Sequence, residues 1–109
     1  MEYEEIVMQI IVSSGNARTH AMTAIQHAKS GNISEARKEI EKAGDELGKA
    51  HDAQTKLIQD EAAGNTREVT LLMVHAQDHL MNAMTVKDLA QEFIDMYERQ
   101  VKLESVLAQ

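Results

Sequence analysis

His75, Asp78 and His79 stand at i, i+3 and i+4 inside the run LLMVHAQDHLMNAM, residues 71–84. On a helix this spacing puts all three side chains on one side, within about one turn. Two imidazoles a turn apart can share a metal ion or orient one another. The carboxylate between them can hold a hard cation. Around these residues Leu71, Leu72, Met73, Val74, Leu80, Met81 and Met84 make most positions apolar. A helix apolar nearly all round is buried on several sides, and polar groups there are costly unless paired, metal-bound or used for chemistry.

Other chemistries fit less well. Two histidines at i, i+4 suit zinc, but no third protein ligand is obvious nearby in the sequence. A di-iron bundle would need Glu-x-x-His pairs, which the chain lacks. His20, His27 and His51 read as satisfied core histidines, and the seven methionines as gap-filling core. The acidic stretches 2–5 and 39–46 read as solvated faces.

The elements that must hold the trio follow from composition. The chain has 109 residues, no proline, no cysteine and five glycines, with abundant Ala, Leu, Met, Glu, Gln and Lys. That argues for one all-helical domain spanning 1–109, without disulfides or thiolate metal sites. No basic n-region precedes an apolar stretch, and no apolar run reaches the roughly 18 residues of a membrane span. A formal charge of −7 disfavours nucleic acid and acidic membrane surfaces and suits a basic protein partner. The expectation is a cytoplasmic protein with no nucleic-acid partner and no direct membrane insertion.

Three helices are predicted. Tyr3, Ile6, Ile10, Ser14, Ala17, Ala21, Ala24 and Ala28 repeat at spacings of three and four, which predicts a first helix over residues 2–30. Ser13, Ser14 and Gly15 form a weak spot in it. Gly31 is the expected left-handed stop. Asn32 with Glu35 predicts a box-like start for a second helix to about Ala63. Its stripe is Ile33, Ala36, Ile40, Ala43, Leu47, Ala50, Gln54 and Leu57. Gly64 ends it, Asn65 with Glu68 repeats the cap pattern, and a third helix is predicted from about Thr66 to near the C-terminus. Short turns make the three an antiparallel up-down-up bundle. The third helix, roughly 60 Å long at 1.5 Å per residue, overhangs the others after about Arg99. Antiparallel pairing brings residues whose numbers sum to roughly 130 to one height, so His51, Gln54 and Thr55 should flank His75, with Met8 and Ile11 of helix one near the same level.

The third helix has more apolar surface than two neighbours can cover. Leu72, Ala76, His79, Ala83, Ala90, Phe93 and Tyr97 form the stripe expected against helices one and two. Leu71, Val74, Asp78, Met81, Thr85, Asp88 and Glu92 form a second stripe at heptad-like spacing. The second stripe predicts self-association, with Asp78 on the oligomer axis. Symmetry copies of one carboxylate crowded there need a proton or a cation.

The string HAQDHLM, preceded by LL and following a helix with AHDAQTKLIQDEAAG, resembles the lactose/cellobiose-type IIA component of the bacterial sugar phosphotransferase system. The resemblance runs from GNAR, at residues 15–18, to the end of HAQDHLM. It implies a homotrimer of three-helix protomers. It also implies a phosphotransferase component that takes a phosphoryl group from phospho-HPr on a histidine and passes it to a cysteine of the IIB component. Residue by residue, it makes His75 the phosphoryl acceptor, Gln77 and His79 supporting residues, and Asp78 the ligand of a divalent cation, Mg2+ first, shared by three subunits. The sugar is held by the membrane-embedded IIC component, so this chain does not name it; a β-glucoside such as cellobiose or chitobiose is placed ahead of lactose. Two other classes stand beside this reading. One is a histidine phosphotransfer domain of two-component signalling, which would show lysine and glycine soon after the histidine, where this chain has Ala76, Gln77, Asp78 and His79. The other is a coiled-coil module without chemistry.

Overall fold

A computed structural model, describing residues 2–109, is all-α. Its helices are α1 (Glu2–Lys29), α2 (Ile33–Ala62) and α3 (Leu71–Leu107). They form a rod of 65 × 20 × 19 Å.

In the two Gly-Asn pairs the glycines end their helices as expected, but the asparagine side chains do not cap the next ones. Gly31 (φ +84°) and Gly64 (φ +93°) adopt the left-handed conformation that ends a helix without a Cβ penalty. Each following asparagine then turns its backbone N–H into the helix just completed: Asn32 donates to the His27 carbonyl and Asn65 to the Asp60 carbonyl, both at 2.9 Å. Asn65 thus closes α2 and does not open α3. The Asn32 side chain makes no capping bond either, so the expected Asn32–Glu35 box does not form.

α3 accordingly starts at Leu71 and not near Thr66. Thr70 is its cap, with its hydroxyl oxygen accepting the Met73 N–H at 3.1 Å. Residues 64–70 are held from the side instead. The Tyr3 hydroxyl donates to the Glu68 carbonyl at 3.4 Å, and the Arg67 guanidinium lies 4.9 Å over the Tyr3 ring and 3.8 Å from Asp60.

The core has two parts. One joins Ala21, Ala24 and Ala28 to Ala36, Ile40 and Ala43 and to Ala90 and Ile94; the other joins Val7 and Ile10 to Ala50 and Ala53 and to Ala76 and Leu80. Most of these side chains are alanine, which lets three backbones approach closely at low side-chain entropy cost. Cross-helix polar contacts lie at matching heights: His20 with Glu39, Arg37 with Asp95 and Glu98, and Gln54 with Gln77. The weak spot in α1 does not interrupt the helix. Ser13 and Ser14 are buried, with Ser13 accepting from Gln9, while the Ser14 hydroxyl has no partner.

Several surface assignments change. On α3 the buried seam runs through Ala76, Leu80, Ala83, Ala90 and Ile94, while Leu72 and Phe93 are exposed. Most of the methionines are not core fillers: Met8, Met22, Met81, Met84 and Met96 are exposed, while Met73 is half-buried against the core and Met1 lies outside the described residues. The overhang after Arg99 is exposed throughout, as its length predicts. Glu39 and Glu46 are not simply solvated. Their side chains are only 16% and 18% accessible and are bonded to neighbouring helix residues.

Candidate functional site

His75 and His79 lie in the second and third turns of α3, and their Nε2 atoms are 3.0 Å apart. The rings meet edge to face with centroids 4.4 Å apart and planes at 83°. One ring nitrogen therefore donates to the other, and neither imidazole has another side-chain partner among the described residues. His75 is exposed, and His79 is half-buried. The first turn of α3 carries no acidic residue. Helical side chains lean toward the N-terminus, so His75 reaches the end of the helix where unpaired N–H groups and the macrodipole favour an anion.

The two rings open onto different surroundings. His75 shares a shallow depression with Leu71, Leu72, Val74 and Asp78, all from α3 itself. His79 forms the wall of a groove whose other lining is α1: Gly15, Arg18, Thr19 and Met22 among them. No α2 residue lines either depression. The pair is therefore presented outward from the α1–α3 side of the bundle.

Asp78 is exposed between Val74 and Met81, both themselves exposed. Among the described residues no three His, Cys, Asp or Glu side chains gather where one chain could hold a metal ion. Asp78 fits such an ion only as one contributor to a site completed by other copies.

Gln77 points elsewhere. It accepts from the Gln54 amide across the α2–α3 boundary and donates to the Met73 sulfur at 3.7 Å. This fixes the turn of α3 beside His75 without touching either imidazole. The expected level of Gln54 is thus right, but its contact is Gln77. His51 is exposed in a separate depression with Met84, Lys87 and Asp88, away from the pair. It is not a satisfied core histidine. His20 is the best satisfied of the three: its Nδ1–H donates to Glu39 at 2.7 Å in a half-buried pair. That bond, aided by Lys42, holds the Glu39 carboxyl below its ordinary value, while partial burial pushes the other way. Reading the sequence for histidines and carboxylates passed over Arg18, which lines the groove ending on His79. The available signal was its isolation, since it is the sole Asp, Glu, Lys or Arg across residues 6–26.

A helical protein offering an outward pair of imidazoles near a helix start has the form of a phosphoryl carrier. Comparison with known proteins gives the family. Residues 5–98 match the family model described as the phosphotransferase system lactose/cellobiose-specific IIA subunit, and the chain belongs to that family. It is a phosphotransferase component of the sugar phosphotransferase system. It is 61% identical over 98 residues to the lichenan-specific phosphotransferase enzyme IIA component of Bacillus subtilis, covering 90% of this chain and 89% of that protein. The N,N'-diacetylchitobiose-specific EIIA component of Escherichia coli K12 is 41% identical over 98 residues, covering 90% and 84% respectively. Among solved structures, the cellobiose-specific enzyme IIA of Bacillus anthracis superposes with a TM-score of 0.89 at 51% identity, covering 96% of this chain and 94% of that one. The IIA(chitobiose)–HPr complex superposes with a TM-score of 0.81 at 38% identity, covering 92% and 97%.

Proposed function

We propose that His75 accepts a phosphoryl group from phospho-HPr and passes it to a cysteine of a IIB component during uptake of a β-glucoside of the cellobiose, chitobiose or lichenan-fragment type. The observation that carries this is the isolated His75–His79 pair, 3.0 Å apart and turned outward. Family membership, and the likeness to a IIA component solved with HPr, support the choice of donor.

The chemistry follows from the pair. With His79 Nε2–H as donor, the lone pair of His75 Nε2 is the unprotonated one and its own proton sits on Nδ1. The incoming phosphorus bonds to His75 Nε2 as its bond to the donor breaks, and the donor keeps that electron pair. His79 Nε2–H, displaced from the ring nitrogen, then donates to a phosphoryl oxygen. The second transfer reverses this: the P–N bond breaks, an S–P bond forms on the IIB thiolate, and the His75–His79 bond reforms. There is little covalent work for a protein to do in phosphoryl transfer, so positioning and charge dominate. The anion-favouring start of α3 contributes charge, and Gln77, through Gln54, contributes position.

The same reading extends to assembly. The 1–109 domain is an up-down-up bundle, an order supported by the heights at which Arg37 meets Asp95 and Gln54 meets Gln77. Three copies associate through their α3 helices. Leu71, Val74 and Met81 are 85%, 52% and 56% accessible on either side of Asp78, which is apolar surface that wants a cover. Three Asp78 carboxylates would converge, and a shared divalent cation, Mg2+ first, would supply the opposing charge; at an effective dielectric near 20, each uncompensated pair about 4 Å apart repels by roughly 4 kcal/mol. Among the described residues no helix is long and apolar enough to cross a membrane, which supports a cytoplasmic location.

Incubation with phosphoenolpyruvate, enzyme I and HPr, followed by mapping of the phosphoryl group, tests the central claim. Label at His75 is expected. Stoichiometric label on His75→Ala would defeat it.

A further inference from the structure

The two parts of the core share no residue, and the layer between them is built differently. One part, on the turns of His75 and His79, includes Ile10 and Leu80; the other, farther along the rod, includes Ile40 and Ile94. Ser13, Ser14, Ala17 and Ala83 are buried between the two and belong to neither. The larger apolar groups at this height, Leu47 and Val86, are only half-buried, and each packs on a different part.

Each helix is also weakened here. In α1 the Ser14 hydroxyl is fully buried and, among the described residues, has no hydrogen-bond partner, which is costly; Gly15 follows it. In α2 Gly44 and Gly48 stand one turn apart. A Cβ built at Gly15 or Gly48 would meet nothing within 4 Å, and neither has a positive φ, so neither packing nor a turn asks for glycine. Inside a helix glycine favours opening, since it loses more backbone entropy on ordering than alanine does. In α3 the Thr85 hydroxyl donates to the Met81 carbonyl at 3.2 Å, a back-bond that weakens and bends a helix. These points share one height. Lys87 runs beside Gly44 as Gln77 does beside Gln54, which levels Gly48 with Ala83; His20 beside Glu39 levels Gly15 with Gly44.

We propose that the rod is jointed at this height: the part that carries His75 and His79 and the part beyond it open and tilt as two units about the layer of Ser14, Gly48 and Thr85. Local stability falls where buried apolar contacts are few, and weak points stacked at one level act together where scattered ones would not. Ala83, in the joint, is one turn beyond His79 on α3. Tilting there turns the imidazole pair relative to the surface of the far part.

Hydrogen exchange on the full chain, comparing wild type with Gly48→Ala and Gly15→Ala, tests this. Helices ordinarily exchange from their ends inward. Here amides over 14–18, 45–49 and 83–87 should exchange about tenfold faster than those over 21–25, 37–41, 52–56 and 90–94 on either side. Gly48→Ala should slow all three fast stretches by about fivefold, including those of α1 and α3 that it does not alter, and Gly15→Ala should do the same from the other helix. Uniform protection along the wild-type rod overturns the joint. So does slowing confined to the substituted helix, which would be local helix propensity alone. Reduced helicity in one variant leaves the other to decide; reduced helicity in both overturns the proposal, because each Cβ would then meet packing that the joint excludes.

Discussion

The molecule has two histidine pairings, and they are built to opposite ends. His20 is half-buried between α1 and α2 and donates to a carboxylate, Glu39, that Lys42 also contacts. His75 and His79 stand on one helix, at the outer surface, bonded to each other and to no carboxylate. A carboxylate partner ties an imidazole down and fixes its tautomer. A second neutral imidazole is a weaker, exchangeable partner, one that a phosphoryl group can displace. The first arrangement joins two helices, whereas the second leaves a nucleophilic nitrogen free to react.

The largest effect should come from breaking the reactive pair. His75→Ala should abolish labelling by phospho-HPr while circular dichroism stays unchanged, because an exposed side chain is removed. His79→Ala should still be labelled, with transfer slowed by about tenfold to a hundredfold for the lost donor. Equal rates for His79→Ala and wild type would show that the bond between the rings is incidental.

Asp78→Leu sharpens the comparison from the side of assembly. Sedimentation should show wild type weakening as a trimer when a chelator is added at neutral pH and recovering with Mg2+. Asp78→Leu should remain assembled in both conditions, since leucine packs where carboxylates repel. A variant that dissociates would remove this stripe from the interface.

The structural pair should respond in stability and not in transfer. His20→Ala should cost about 1 kcal/mol in urea denaturation, the ordinary value of a part-buried side-chain bond, and leave labelling intact. Its pH dependence has a defined sign. The folded Glu39 carboxyl titrates below its ordinary value, so its contribution is present above the unfolded value and is lost as pH falls through the folded one. Glu39→Gln should therefore lower stability at neutral pH, where the carboxylate contributes, and flatten the fall in stability as pH drops from the ordinary carboxylate range through the folded value. Arg37→Ala should matter least, at under about 0.5 kcal/mol, because Arg37 and Asp95 are exposed and Glu98 is only half-buried.

The sequence by itself determined the helices and their buried faces, since spacing of three and four is a local property of a helical chain. The stripe of α1 from Ile10 to Ala28 is buried where the periodicity puts it, as are Ala36, Ile40, Ala43 and Ala50 of α2, with Leu47 half-buried against the same core. His75 and His79 were legible for the same reason: i, i+4 neighbours meet on one helix whatever surrounds it. Where two helices compete for the same residues, local pattern misled. Asn65 is equally good as the start of one helix and the close of another, and Tyr3, distant in sequence, holds residues 64–70 so that Thr70 takes the cap. Only the packed structure decided that Gln77 turns to Gln54, that Glu39 leaves solvent for His20, and that Arg18 shares a groove with His79. Each of these depends on the relative rotation of two helices. Close alanine packing sets that rotation, and no single stretch of the chain encodes it.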